Sequence, residues 1–324
     1  MKSKTFLKLL TSTALIATSL LGVHSQANEK FPVKPIQVII PFQPGDTDNL
    51  LRPFTEKMGE FLGQPVNLVY KPGAAGGIGA NFVAASKPDG YVLLGTSHSS
   101  IAALPVTNKK VGYTLASFIP IVCLVESGSL LVVLSSSPWK SFQDIVDAAK
   151  KAPGKISYTS SGTFGTNHLV PEALSKEAGV KWNHIPSQGS GPAITATLGG
   201  HINMASTAVA PAAAHIQAGT LRPLAVYGTK RLKAFPDVPT LTELGYSIAS
   251  PSYYGLSAPK GTSQETVNAI YSAAKQVIEK YNDQISGRLE TLGVELKLLG
   301  PEEYKNYLEQ QSKLFSGIME TMKN

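Results

Sequence analysis

The sequence predicts an α/β protein of two parallel-sheet lobes joined by a hinge, and three observations carry that expectation. Apolar runs of strand length alternate with stretches whose apolar residues recur at helical spacing, the pattern of βαβ units. The alternation occurs in two separate series, enough for two sheets within 324 residues. The first 27 residues read as an export signal, and a single cysteine, Cys123, leaves the remainder without an internal disulfide.

In order along the chain, Lys2, Lys4 and Lys8 form the basic start of the signal, "LLTSTALIATSLLG" its apolar middle and "SQA" its small-residue cleavage site, so the mature chain is expected to begin near Asn28. The apolar middle is shorter than the roughly 20 residues that span a bilayer. No cysteine stands at the cleavage site to take a lipid, so a soluble exported protein is expected. The first series opens with the strand "IQVIIPF", residues 36–42, followed by a helix with Leu50, Leu51, Phe54, Met58, Phe61 and Leu62 on one face. Pro53 removes one ladder bond in that helix, and a local distortion is expected there. The strand "VNLVY", the helix "GIGANFVAAS" and the strand "YVLLGT" complete a βαβαβ unit and imply a parallel sheet.

The second series runs from "LLVVLSSS" (130–137) to "LRPLAVYG" (221–228). It holds a helix opening at Ser141 with Asp144 at capping-box spacing, then the strand "KISYTS", the helix "TNHLVPEALSKEAG", the strand "WNHIPS", the helix "GPAITATLGG" and the strand "INMAST". The chain returns through "YYGLSAP" to two long helices, the last with Tyr304, Tyr307, Leu308, Leu314, Phe315 and Ile318 near one face.

Ligands of open α/β sheets sit beyond the carboxyl ends of the strands, so the loops after strands are the candidate sites. Three of them, all in the second series, are rich in donors: "TSSGTFGTNH" with Ser160, Ser161, Thr163, Thr166, Asn167 and His168; "SQGSG" with Gln188, Gly189 and Ser190; and "AST" with Ser206 and Thr207. Hydroxyls and freed backbone amides at helix starts suit an anion, the alternative being simple capping by Ser and Thr. Between Glu177 and Asp237 there is no acid, whereas Lys181, Arg222, Lys230, Arg231 and Lys233 lie in or beside that stretch. Either the second lobe presents a mildly positive field to an anion, or these are scattered surface charges.

Other chemistries find little support. Loss of the signal removes three lysines and no acid, lowering the formal charge from +7 to +4, and with no Lys/Arg run and no zinc-finger spacing no nucleic-acid partner is expected. "GAAGGIGA" (73–80) lacks the third glycine of a dinucleotide fingerprint, Phe82 standing in its place, and it lacks the Lys of a phosphate loop. His98, beside Ser97 near a strand end, and His168 could touch a ligand, but His98, His168, His184, His201 and His215 show no metal-ligand spacing. No nucleophile elbow is present. Neither a cofactor nor a metal is expected, and an enzyme is not.

The motifs "KPIQVIIPFQPG" followed by Thr47 and Asp48, "KPGAAGGIGA", "KPDGYVLL", "SSGTFGTNHL", "FPDVPTLTELG" and "GLSAPKGT" keep their order over nearly all of the mature chain. In these the sequence resembles the Bug (TctC) family, periplasmic solute-binding receptors of tripartite tricarboxylate transporters. The resemblance implies a two-lobed type II periplasmic-binding-protein (Venus flytrap) fold with a hinged interlobe cleft. It implies one lobe of residues 28–127 plus 251–324 and a second of 128–250. It also implies a small organic carboxylate as ligand (a di- or tricarboxylate, an aromatic acid or an acidic amino acid) and transporter membrane subunits as partners. Matching segments place the pocket at Gln43, Gly45, Asp46, Thr47 and Asp48, in the 159–168 loop, at Gln188 to Ser190 and at Ser206 and Thr207. An exported enzyme using the same cleft, or a ligand sensor for a membrane regulator, would share the fold.

One stretch departs from the family's pattern. In "PFQPGDTDNLLR" Asp48 and Arg52 match, one residue is missing, and Asp46 stands where glycine is usual. Asp48 is then expected to be the helix N-cap. Asp46 is expected to turn to solvent, because a carboxylate at the mouth of a carboxylate pocket repels its guest. The alternative is a ligand carrying a donor such as an amine or hydroxyl.

Overall fold

A computed structural model of the chain describes residues 30–323. The expected export signal lies outside the described residues. The first sheet is entered through β1 (Ile36–Ile40), α1 (Thr47–Leu62), β2 (Val66–Tyr70), α2 (Gly77–Ala84) and β3 (Val92–Ser97), the βαβαβ unit of the sequence. A π-helical turn at Ser99–Ala103 and the short α3 (Leu104–Thr107) lead to β4 (Phe118–Ser127). Gly128 alone separates β4 from β5 (Ser129–Leu134), which begins the second sheet. There follow α4 (Phe142–Lys151), β6 (Ser157–Ser160), α5 (Thr166–Glu177), β7 (Asn183–Pro186), α6 (Ser190–Leu198), β8 (Met204–Ala208), α7 (Val209–Gln217) and β9 (Leu221–Val226). The chain crosses back as β10 (Ser252–Pro259) and ends with α8 (Gln264–Thr291), β11 (Glu295–Leu299) and α9 (Pro301–Lys323).

The strand orders are β11-β4-β10-β3-β1-β2 and β7-β6-β8-β5-β9. Both sheets are mixed, which corrects the expectation of parallel ones. Pairs β1/β2, β1/β3, β6/β7 and β6/β8 are parallel, but β10 runs against β3 and β4, and β5 against β8 and β9. The reason is the double crossing. A chain that enters a sheet at the end where its parallel strands finish must start its next strand there, and so runs the opposite way. β5 and β10 are those entering strands, and their first residues therefore sit beside the carboxyl ends of the others.

Each lobe has an apolar interior laid down by the predicted faces. In the first, Leu50, Leu51, Phe54 and Met58 of α1 pack with Val38, Ile40 and Leu93 and with Ile270, Ala274 and Val277 of α8, all fully buried or nearly so. α1 runs unbroken through Pro53, which is buried, so the expected distortion does not interrupt the helix. The capping box at Ser141 forms as read from sequence, with Ser141 Oγ accepting from the Asp144 amide at 3.2 Å. The last helix belongs to both halves. Tyr304, Tyr307 and Leu308 pack under the first sheet, whereas Phe315 and Ile318 enter the core of the second with Phe142, Tyr158 and Leu174. Residues 301–323 thus strap the lobes together rather than adding only to the first.

Candidate functional site

The cleft is floored by the two crossings and walled by strand-to-helix loops from each lobe. On the first-lobe side the turn before α1 is set by Asp48. Its Oδ1 accepts the Gly45 amide at 2.6 Å, and its Oδ2 accepts the Tyr70 hydroxyl at 3.0 Å and faces Arg52 at 3.3 Å. Arg52 in turn donates to the Tyr70 oxygen at 2.7 Å. Asp48 therefore reaches back from within the first turn and braces the loop. It is not the N-cap: in this shortened turn Asp46 holds that position, its carbonyl accepting the Leu50 amide at 3.2 Å while its side chain caps nothing.

Freed from capping, the Asp46 carboxylate turns inward, against the expectation that it faces solvent. Oδ2 accepts the Tyr254 hydroxyl at 3.0 Å, and Oδ1 is enclosed with no partner. Burial pushes its pKa up to about 7; the bond from Tyr254 opposes the rise and neighbouring Asp48 adds to it. Two more side-chain atoms nearby are enclosed without partners, Thr47 Oγ1 and Asn167 Oδ1. All three residues line one interlobe cavity.

From the second lobe come the starts of α5 and α6. α6 has Gly189 at its N-cap with φ of 146°, a conformation that suits glycine, and no side chain caps it. The Ser190 and Gly191 amides, which no intrahelical bond can use, have no acceptor among the described residues. Pro192 follows without an amide of its own. The start of α5 is occupied differently, because it clasps the first lobe. The Thr166 amide donates to Ser99 Oγ at 3.1 Å, and the Thr107 hydroxyl donates to the Phe164 carbonyl at 2.9 Å. Gly162 and Gly165 come so close to Ala75 and Ser99 that a Cβ at either would meet them within 3 Å.

His98 lies beneath this clasp and does not face the cavity. Its Nε2 is 2.9 Å from Thr166 Oγ1 and its Nδ1 2.9 Å from the Tyr307 oxygen. The Tyr307 hydroxyl donates to the Pro251 carbonyl at 2.6 Å, which leaves its oxygen to accept from Nδ1–H. Nε2 therefore accepts from Thr166. Burial lowers the His98 pKa to about 3, so the ring is neutral in this network.

The sequence-predicted residues divide evenly. Gln43, Asp46, Thr47, Ser97, Ser161, Thr166, Asn167, Gly189 and Ser190 line the cavity. The other nine do not. Gly45 and Asp48 brace the entry loop, and His98 joins the lobes. Ser160 Oγ is held by Gly162 and His184, while Thr163 and Gln188 are exposed. His168 accepts the Phe164 amide at 3.1 Å and stacks on His184, its pKa lowered by burial to about 4. Ser206 bonds the Tyr227 hydroxyl at 2.6 Å and Thr207 donates to the Ala208 carbonyl at 3.2 Å, both buried beneath the site. Sequence reasoning missed Ser129, Ser252 and Tyr254, which stand at or near the starts of the entering strands β5 and β10. The signal was the two crossing points themselves, since a strand that starts at a hinge puts its first side chains into the cleft.

The expected positive field is absent from the cleft. Among the described residues no Lys or Arg lines the cavity, and Asp46 is its single charged side chain. Arg231 pairs with Glu243, Lys233 and Lys230 approach Glu295, and Arg222 is bound to the Ser135 and Trp139 carbonyls. Among the described residues no helix is long and apolar enough to cross a membrane.

Comparison with known proteins fits this geometry. The model of the tripartite tricarboxylate transporter family receptor, TctC, matches residues 50–323. A UPF0065 protein in the gbd 5' region of Cupriavidus necator is 34% identical over 313 residues, 96% of this chain and 94% of that protein. The structure of periplasmic binding protein BugD superposes with a TM-score of 0.83 at 28% identity, covering 90% of this chain and 98% of BugD. That of R. palustris Rpa4515 with adipate gives 0.81 at 25% identity, over 90% of this chain and 98% of that one. With two lobes about a donor-lined cleft and a family match over most of its length, the chain belongs to the TctC family of periplasmic solute-binding receptors.

Proposed function

We propose that this protein captures a small organic carboxylic acid between its lobes and delivers it, unaltered, to the membrane subunits of a tripartite tricarboxylate transporter. One observation carries the reading: the unused Ser190 and Gly191 amides at the start of α6 open into a cavity rimmed by hydroxyls of both lobes. A helix start with free amides holds a carboxylate by hydrogen bonds and by its dipole without any cation. The adipate held by the Rpa4515 relative supports the same ligand class. Because the wall of the cavity is divided between lobes, its contacts exist together only when the lobes meet. Ligand then stabilises the closed state by the difference in its affinity for the two states.

A thermal-shift and calorimetric screen of mono-, di- and tricarboxylates, aromatic acids and amino acids tests this reading. A ligand at 100 times its Kd should add about 2.7 kcal/mol of stability, with one-to-one stoichiometry and no product. Consumption of the ligand by purified protein would make it an enzyme, and a screen without any hit would remove the carboxylate reading.

A further inference from the structure

Asp46, Thr47 and Asn167 place three enclosed, unpartnered side-chain oxygens in the wall of one cavity. Thr47 is 1% exposed and Asn167 8%, so neither oxygen is served by open water. Enclosed polar atoms without partners are destabilising, and a wall that holds three is shaped for something that satisfies them. Two of the three, Asp46 Oδ1 and Asn167 Oδ1, are oxygens that accept, and Thr47 Oγ1 accepts as readily as it donates. A carboxylate offers only acceptors and cannot answer them. An ammonium group offers three donors.

Charge leads to the same place. Among the described residues sixteen line the cavity, none of them Lys or Arg, and the single charge among them is the Asp46 carboxylate. The donors lie at the start of α6 on the second lobe, where Ser190 and Gly191 present free amides. The Asp46 and Thr47 acceptors come from the first lobe, Asn167 joins them from the start of α5 on the second, and the donors stand at the start of α6.

We infer that the ligand of this receptor is a small zwitterion, an amino acid with one ammonium group held by Asp46, Thr47 and Asn167 and one carboxylate held at the start of α6. This deepens the carboxylate reading above and rests on it. It also narrows it: a dianion such as a dicarboxylate would set its second negative charge toward Asp46 with no cation to offset either. Tyr254 contributes by donating to Asp46 Oδ2, which leaves Oδ1 as the free acceptor. Since burial raises the Asp46 pKa to about 7, it is part-protonated in the empty cleft at neutral pH. An arriving ammonium group requires the carboxylate, so binding expels that proton. A carboxylate docking on the same residue would need Asp46 as a donor and would take a proton up.

The experiment compares two- to six-carbon amino acids, with the amine at the α, β or γ position, against monocarboxylates and dicarboxylates of equal length. Calorimetry is run at pH 7 in buffers of differing ionisation enthalpy, on the wild type and on Asp46→Asn. The expected result is an amino acid that binds at least about 30-fold more tightly than its des-amino counterpart, with release of up to about half a proton. Asp46→Asn should remove most of that preference and the proton release. Equal or tighter binding of the des-amino acids, or proton uptake, overturns the zwitterion and leaves the carboxylate receptor standing. Failure of every acid in the panel to bind overturns both.

Discussion

Asp46→Asn is expected to change the pH dependence of stability of the ligand-free protein more than any other single substitution in the cleft. The folded-state pKa of Asp46 is raised from 3.8 to about 7. A carboxyl whose pKa is higher folded than unfolded favours the folded state while it is protonated, and that advantage is lost as pH rises from about 4 through 7. The enclosed, half-satisfied carboxylate should therefore cost about 2–4 kcal/mol at pH 8 relative to pH 4. His98, His168 and His184 act at the other end of the range. Burial lowers their pKa values to about 3, 4 and 4, so below about pH 6.5 the unfolded chain takes up protons the folded one refuses, and stability falls as pH drops toward those values. Their contribution is common to wild type and variant and cancels in the difference. Urea unfolding at pH 5 and pH 8 should show the variant gaining about 2–3 kcal/mol on the wild type between the two. A difference that stays constant with pH would mean that Asp46 is solvated as the sequence alone suggested.

That contrast marks where sequence reading stopped. The βαβαβ unit was legible because each strand and helix carries its own period, and the apolar face of α1 emerges as read. Strand direction was not legible for β5 and β10, because nothing local in "LLVVLSSS" or "YYGLSAP" records from which end the chain enters a sheet. The donor loops were found because Ser, Thr and Gly cluster after strands. Which members face the cavity depends on pairings made across the fold: Ser206 is taken by Tyr227 and Ser160 by His184, whereas Ser161 and Ser190 line the cavity. Neither aspartate takes its expected role, because the turn before α1 is short. Asp46 occupies the cap position without capping, and Asp48 reaches back to Gly45 in its place. That outcome is decided by one residue of loop length and by the distant hydroxyls of Tyr70 and Tyr254.

Gly165→Ala should hold the lobes apart while leaving each intact. At φ of −85° and ψ of 174° alanine is at ease on the backbone, so the second lobe bears no strain from the change. The added Cβ would meet Ser99 Oγ at 2.8 Å, and both this atom and its next neighbour, the Ala75 side chain at 3.9 Å, belong to the first lobe. The clash therefore exists only when the lobes are together. It also opposes the bond from the Thr166 amide to Ser99 and loads the His98–Thr166 contact beneath it. Ser99 Oγ is the end of a rotatable side chain and can shift by weakening that bond, so the cost is about 0.5–1.5 kcal/mol, all of it charged to the closed state. Apparent affinity should fall about 2- to 10-fold, the radius of gyration in ligand-free solution should rise, and the unfolding free energy measured without ligand should change little. Ser99→Ala removes the atom that is struck, so the double variant should bind more tightly than Gly165→Ala alone despite losing one hydrogen bond more. That sign of coupling is what a steric block at the clasp requires. An affinity for Gly165→Ala equal to that of the wild type would show that the lobes do not close by this contact.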